Sequence, residues 1–175
     1  STLGTEGLEA TVARWRLDTP PPFDIPTAAA DWTAPAADAP AALADEAVGQ
    51  GALVVSPLQM ALVAGTLANG GTMPAPRLVD AIQQAGGWQQ VTVASSYRVV
   101  SAAQARVLLQ EMAPIAAGVA GHGGSAIAGR DQPPHAWFLG TAGPHAVAVL
   151  VERSSDPDRA IQIGAGLLQS ATTAH

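Results

Sequence analysis

The feature that most constrains this fold is an apolar run bracketed by Ser56-Pro57 and by Asn69-Gly70-Gly71. A serine followed by proline is a typical helix start, because the hydroxyl caps the first turn and proline fits the first helical position. Glycine supplies the left-handed conformation with which many helices end. The residues between these signals are apolar on every side, so we predict a helix buried in the middle of the domain.

The second half of the chain predicts an antiparallel sheet. Three segments have the composition of strands: 119–128, 135–141 and 145–152. Ala142-Gly143-Pro144 joins the last two and is short enough for a hairpin. Helices are also expected at 3–17, from Ser101 to a stop at Pro114 and Gly118, and after Asp156-Pro157, with a strand or hairpin at 91–100. The predicted fold class is α+β, an antiparallel sheet of about three C-terminal strands with helices packed on it.

The length of the chain favours a single domain over residues 1–175. Within residues 19–44 the composition shifts to proline, alanine and aspartate. Prolines at this density exclude a regular helix or a central strand, so we expect a long surface connection. Phe23, Ile25 and Trp32 are the side chains expected to pin it to the body of the domain. A linker between two domains is the alternative.

Composition excludes several classes of function. The net charge is −6 and no basic cluster is present, which argues against a nucleic-acid partner. All eight basic residues are arginines, which excludes mechanisms that need a lysine amine, such as Schiff-base chemistry or a phosphate-binding P-loop. Cysteine is absent, so no disulfide or thiolate zinc site exists, and this absence is consistent with an oxidising exterior.

The glycine-rich segment 118–129, GVAGHGGSAIAG, is the candidate site that the sequence offers. A dinucleotide fingerprint requires G-x-G-x-x-G, but Ala126 occupies the third glycine position. A serine hydrolase could use Ser125 with a histidine base, although the G-x-S-x-G motif of an exposed nucleophile is absent. The candidate bases are His122, His135 and His145. No histidine has a carboxylate at metal-ligand spacing, so we expect no metal and no cofactor.

Three stretches of the sequence resemble penicillin-binding protein transpeptidase domains. Residues 49–79, GQGALVVSPLQMALVAGTLANGGTMPAPRLV, resemble the family segment that contains G-Q-G, T/S-P-L-Q-M-A, A-N-G-G and a proline. Residues 3–26 resemble the stretch after the family's second active-site motif. HAWFLGTA and HAVAVLVE, at 135–142 and 145–152, resemble the paired strands after its third motif. The resemblance covers nearly the whole chain and implies the C-terminal part of a transpeptidase/β-lactamase-like fold.

Members of this family acylate a serine in S-x-x-K, assisted by S-x-N, with K-T-G on a strand at the pocket wall. None of these motifs is present here. The resemblance places His122 at the lysine of K-T-G, Gly123 at the threonine, Gly124 at the glycine, and Ser125 where the family often has threonine. An imidazole is mostly uncharged at neutral pH, unlike a lysine amine. Gly123 has no hydroxyl to hold a substrate carboxylate, whereas Gly124 still permits close approach of a ligand and the Ser125 N–H corresponds to an oxyanion-hole donor.

Three functions are compatible with these features. The first is a catalytically inactive transpeptidase-like domain of peptidoglycan biogenesis, a pseudoenzyme whose vestigial pocket strand is His122–Ser125. The second is a fragment of an active D,D-transpeptidase with S-x-x-K and S-x-N upstream. The third is an unrelated serine hydrolase that uses Ser125. The sequence leaves open whether the protein is an enzyme.

The resemblance also implies partners and a location. The expected partners are a peptidoglycan stem peptide or another cell-wall protein. The expected location is extracytoplasmic, in the periplasm or at the cell surface, with a membrane anchor outside this chain. In the family's five-stranded sheet, two N-terminal strands lie beside the final strand. We therefore expect an open edge at 145–152 and a homodimer that forms through it.

Overall fold

The computed structural model describes residues 4–28, 32–92, 95–129 and 131–173. The helices are α1 (Thr5–Trp15), α2 (Pro40–Ala47), α3 (Pro57–Ala68), α4 (Ala102–Gln110) and α5 (Pro157–Thr173). The strands are β1 (Thr72–Met73), β2 (Ala81–Gln84), β3 (Gly87–Gln90), β4 (Tyr97–Arg98), β5 (Ala113–Ala116), β6 (Val119–Ala126), β7 (His135–Ala142) and β8 (His145–Val151). Within these described ranges, no helix is long and apolar enough to span a membrane.

The main sheet contains β5, β6, β7 and β8 in that order, and each neighbouring pair is antiparallel. This arrangement confirms the predicted α+β class. The predicted hairpin is also present, since Ala142 pairs with His145 and Gly143 turns the chain with φ of 56°. The strand β5 lies where the sequence predicted the end of a helix. Helix α4 ends earlier, at Gln110, and Pro114 is tolerated in β5 because this strand is at the edge of the sheet.

Helices cover the two faces of this sheet. Helix α5 packs on one face against β6, β7 and β8, and α3 packs on the opposite face against β7 and β8. The core on the α5 face is centred on Phe138, which is fully buried. Three glycines make room for its ring: Cβ atoms at Gly121, Gly140 and Gly164 would lie 2.4, 2.5 and 2.1 Å from it. The ring therefore sets the distance between the sheet and α5.

Helix α3 is the central helix that the sequence predicted. A capping box starts it: the Gln59 N–H donates to Ser56 Oγ, and the Ser56 N–H donates to Gln59 Oε1. Every residue from 58 to 68 is buried or half-buried, and Leu62 belongs to a second buried cluster on this side of the sheet. The all-round apolar pattern thus corresponds to an all-round packed helix.

The predicted surface connection over 19–44 is shorter than expected. Helix α2 begins at Pro40, because proline is tolerated in the first turn of a helix. Ile25 is 53% exposed and does not pin the connection. Trp32 does, since its Nε1 donates a hydrogen bond to Glu46 Oε1 at 3.2 Å.

The strand or hairpin predicted at 91–100 is present only as β4, which pairs with β1. Residues 93 and 94 lie outside the described residues. The hairpin in this part of the chain lies earlier, where β2 pairs with β3. Its strands are rich in glutamine and lack the alternation of apolar and polar residues that marks a half-buried strand.

Gly164 and Gly166 provide a matched pair of substitutions in α5. Alanine exceeds glycine in helix propensity by about 1 kcal/mol. Gly166→Ala should therefore raise the free energy of unfolding, because no atom lies within 4 Å of the new Cβ. Gly164→Ala should lower it by about 1–3 kcal/mol, because the new Cβ would overlap the Phe138 ring. Denaturant unfolding measures both values, and equal stabilities would contradict the role assigned to the ring.

Candidate functional site

The four candidate site residues, His122–Ser125, lie in succession on β6, within its pairing with β7. Side chains alternate between the two faces of a strand. His122 and Gly124 therefore belong to the α3 side of the sheet. Gly123 and Ser125 belong to the α5 side. The side chains of His122 and Ser125 therefore lie on opposite faces of the sheet and do not contact each other.

The packing around the two glycines agrees with these directions. A Cβ at Gly123 would lie 2.6 Å from the Ile161 side chain of α5. Ile161 thus occupies the space that a threonine side chain at this position would need. A Cβ at Gly124 would meet no atom within 4 Å. A ligand can therefore approach the strand closely at Gly124, from the α3 side.

The outer edge of β6 is paired at both ends and open between them. Strand β5 pairs with it as far as Gly121. At the other end, Gln50 Nε2 donates to the Ser125 carbonyl at 2.8 Å, and Gln50 Oε1 accepts from the Ile127 N–H at 3.1 Å. In an antiparallel strand, the N–H and C=O of one residue point to the same side, and residues two apart point the same way. The Ser125 N–H therefore points to the outer edge of β6 with its carbonyl, and so do the N–H and C=O of Gly123. We call the backbone from Gly123 to Ser125 the edge window; no strand in the described part of the chain lies beside it.

The position of Gln50 depends on the buried carboxylate of Glu46, at the end of α2. This carboxylate accepts hydrogen bonds from the backbone N–H groups of Ala52 and Leu53, and from the Trp32 indole. A buried carboxylate with several donors is held firmly, because breaking one bond leaves a charged group unsatisfied. Glu46 thereby fixes the turn on which Gln50 lies.

Reasoning from the sequence alone assigned no role to Gln50 or Glu46. The signal for Gln50 was the G-Q-G at the start of the family-like segment. The structure explains both glycines: Gly49 has φ of 73°, and a Cβ at Gly51 would lie 2.3 Å from the Glu46 side chain. Glu46 had no such local signal, because its burial depends on contacts with segments before and after it.

A cavity of about 560 Å³ lies on the α3 side of β6 and β7. Its wall is largely apolar and combines residues of α1, the segment 46–55, α3 and the sheet. From the sheet, Ala126, Trp137 and Leu150 line it. Because the cavity adjoins the strand that carries the edge window, a ligand paired with the window can place an apolar group in it.

The polar side chains of the cavity wall are already bonded within the protein. His135 Nδ1 accepts from the Arg153 N–H at 3.0 Å, and Thr11 Oγ1 donates to the Gly7 carbonyl at 2.8 Å. The described residues of the wall include no serine. The wall therefore offers no serine nucleophile beside a base.

The three histidines that the sequence singled out are dispersed over the sheet. His122 is exposed on β6, His135 begins β7, and His145 begins β8. Among residues 4–28, 32–92, 95–129 and 131–173, no group of three or more histidine, aspartate or glutamate side chains could hold a metal ion.

Two relatives of this chain, from different organisms, carry the same protein name. Peptidoglycan D,D-transpeptidase PbpA of Mycolicibacterium smegmatis is 34% identical in an alignment of 173 positions, which covers 87% of this chain and 35% of that protein. The protein of the same name from Mycobacterium tuberculosis is 31% identical with the same coverage. The chain thus spans about a third of the length of these curated relatives.

Solved structures agree with the fold. The crystal structure of PBPA from Mycobacterium tuberculosis has a TM-score of 0.76 at 28% identity, over 91% of this chain and 43% of that one. Penicillin binding protein 3 from the same organism, complexed with aztreonam, has a TM-score of 0.74 at 21% identity, over 97% and 47%, and shows the likeness of fold alone. By fold, this is therefore a domain of the penicillin-binding protein class. The chain belongs to the penicillin binding protein transpeptidase domain family, whose model matches residues 1–142.

Replacement of Gln50 tests its pairing with the outer edge of β6. Gln50→Ala removes both hydrogen bonds, so the Ile127 amide should exchange with solvent about tenfold faster, as the loss of about 1.5 kcal/mol would predict. Gln50→Glu keeps an acceptor for that amide and should retain most of the protection. Amide hydrogen exchange measures the effect, with the Leu139 amide inside the sheet as the control. Unchanged exchange at Ile127 in Gln50→Ala would contradict the pairing.

Proposed function

We propose that this chain binds an extended peptide, such as a peptidoglycan stem peptide, along the edge window of β6, and that its 175 residues alone do not form an acyl-serine. The observation that carries the proposal is the open backbone between β5 and the Gln50 amide. The substrate class is supported by the names of the relatives, which are peptidoglycan D,D-transpeptidases.

The edge window suits a peptide in extended conformation. Gly123 presents an N–H and a C=O, and Ser125 presents an N–H, so a peptide can pair with them as an added strand. The free space at Gly124 admits the peptide from the α3 side. The adjoining cavity then accommodates one apolar side chain of that peptide. Binding of this kind needs no titratable group in the site.

The absence of acyl transfer is proposed from the missing chemical groups. A serine nucleophile requires an adjacent base or another activating group. The sequence has no lysine, and the resemblance aligns His122 with the lysine of the third family motif. Ser56 Oγ belongs to the capping box of α3, and Ser125 belongs to the face of β6 opposite the cavity. The proposed role is therefore a binding domain of peptidoglycan biogenesis, a pseudoenzyme.

A second candidate function is supported by the coverage of the relatives. The chain spans 35% of PbpA from Mycolicibacterium smegmatis, so S-x-x-K and S-x-N could belong to other residues of a longer, active D,D-transpeptidase. The edge window would then form one wall of an active site. The hypothesis of an unrelated serine hydrolase is not retained, because the chain belongs to the transpeptidase family.

The 175-residue chain should form no covalent adduct with a β-lactam. No activated serine is available to open the lactam ring, so incubation with a fluorescent penicillin should leave the protein unlabelled on a denaturing gel. Intact mass measurement should agree. A stoichiometric acyl adduct on Ser125 or Ser56 would overturn the pseudoenzyme proposal.

Two controls separate the two candidate functions. His122→Lys restores the charge at the third motif but supplies no nucleophile, so this variant should also stay unlabelled. A longer natural protein that contains this chain and becomes labelled on a serine outside it would support the active transpeptidase instead.

We also propose an extracytoplasmic location, in the periplasm or at the cell surface, with a membrane anchor supplied by residues other than these 175. The support is the named action of the relatives on peptidoglycan, a polymer outside the membrane, together with a composition free of cysteine. Digestion of the protein by protease added to intact spheroplasts tests this location, and full protection would contradict it.

We further propose that two copies of this chain associate through β8. This strand is last in the order of the sheet, and no strand in the described ranges lies beyond it. Residues 145–151 contain no proline, acidic residue, lysine or arginine, which are the residues that commonly protect an exposed edge. Two copies related by a two-fold axis can therefore join their β8 strands as an antiparallel pair.

The register of the sheet identifies which backbone groups face this open edge. The backbone groups of Ser125 point to the outer edge of β6, and the pairing registers carry this alternation across β7 to β8. The Val149 N–H therefore points towards β7, and the Ala148 N–H points towards the open edge. Ala148→Pro should remove one donor from the edge and weaken the dimer, while the pairing with β7 persists. Light scattering over a range of concentrations measures the effect.

Val149→Pro is the matched control, because it removes a donor from inside the sheet and should lower the stability of the monomer itself. A parent chain that remains monomeric at high micromolar concentration would contradict the dimer. A dimer that is equally stable in Ala148→Pro would place the interface elsewhere.

A further inference from the structure

The hairpin of β2 and β3 is exposed on both faces. The two strands pair only with each other, and all their residues are exposed except Ala81, which is half-buried. Trp88 is 71% exposed. An isolated two-stranded hairpin is marginally stable in water, so a partner that packs on this hairpin would stabilise it. The hairpin therefore has the properties of a binding surface.

The register of this hairpin places Trp88 among amide side chains. Gln83 is directly opposite Trp88, and Gln90 is opposite Ala81. Because side chains alternate along each strand, these four residues share one face, which we call the tryptophan face. Ala81 is small, so it leaves the approach to the indole ring open.

The tryptophan face carries no charge. No acidic or basic residue occurs between positions 81 and 97. At the base of the hairpin, Arg77 forms an ion pair with Asp80, and the Leu78 N–H donates to an Asp24 carboxylate oxygen at 3.0 Å. The face thus combines an aromatic plane with uncharged amides, and each amide can both donate and accept hydrogen bonds.

We propose that the tryptophan face binds a neutral glycan strand. A sugar ring has a flat face of C–H groups and a rim of hydroxyls. It can therefore stack on the Trp88 indole while the amides of Gln83 and Gln90 pair with its hydroxyls. The choice of the glycan of peptidoglycan rests on the proposed peptide-binding function, because that polymer carries both glycan and peptide.

Other partners match this face less well. An anionic membrane surface attracts clusters of basic residues, and the net charge of this chain is −6. A protein partner that buries a tryptophan commonly surrounds it with further apolar contacts. The neighbours of Trp88 on its own face are two amides and an alanine.

The test uses the 15N-labelled chain and a β-1,4-linked tetramer of N-acetylglucosamine, which contains no peptide. The chain has four tryptophans, and Trp88→Phe identifies the indole N–H signal of Trp88. We expect that signal to shift on titration, while the signals of Trp15, Trp32 and Trp137 remain. The expected affinity is millimolar, as is usual for a small and exposed contact surface.

Three variants measure what each group contributes. Trp88→Ala should weaken binding about tenfold, because it removes the stacking surface. Gln83→Leu should weaken it severalfold, because leucine cannot bond a hydroxyl. Leu167→Ala, at an exposed position of α5, is the matched control and should leave binding unchanged. The amide spectrum of each variant verifies that the fold is retained.

Three outcomes would overturn the proposal. The first is no shift of the Trp88 signal at saturating tetramer. The second is a shift confined to Trp137, which would place the sugar in the cavity. The third is association of the parent chain with phosphatidylcholine vesicles or with itself that Trp88→Ala abolishes, which would assign an apolar contact to this face. Since the tetramer lacks peptide, none of these results bears on peptide binding at the edge window. That function has its own test: a stem peptide that shifts neither the Gly123 nor the Ser125 amide signal would contradict it.

Discussion

The contact between Phe138 and three glycines is the one on which the rest of this structure depends. The ring lies between the sheet and α5, and a side chain at Gly121, Gly140 or Gly164 would overlap it. Full burial of a phenylalanine side chain contributes about 1.5–3 kcal/mol by transfer from water. The ring also has a geometric effect, because it holds β6, β7 and α5 at a fixed separation.

A strand held in this way can leave part of its own edge unpaired. Strand β6 is bonded to β7 along its length and supported by α5 on one face. On the outer edge, the amide of Gln50 takes the place of a neighbouring strand, and the buried carboxylate of Glu46 fixes that amide. A short stretch of open backbone between rigid supports is preorganised for an extended ligand, which then loses less entropy on binding.

The two positions that the resemblance aligns with the lysine and threonine of the family's third motif have different surroundings. At Gly123, the side chain of Ile161 fills the space that a threonine side chain would need, so α5 packs tightly on the strand. His122, which the resemblance aligns with the family's lysine, is exposed on β6, and the sequence contains no lysine. Strand β6 thus offers open backbone at the edge window in a chain that has no lysine. This combination supports the proposed role in binding without acyl transfer.

Local signals in the sequence determined α3, the three long strands and the tight turn at Gly143, because caps, glycine turns and strand composition act over a few residues. The resemblance to the family singled out His122–Ser125 as a candidate site. Other features required the tertiary structure: Gln50 contacts Ser125 across 75 residues, and only the order of the strands reveals which edges are open. The exposed hairpin of β2 and β3 has no alternation of apolar and polar residues, so the sequence pattern did not predict it. A sequence specifies elements through short-range interactions, but the meeting of distant segments depends on the packing of the whole domain, and that packing created the edge window.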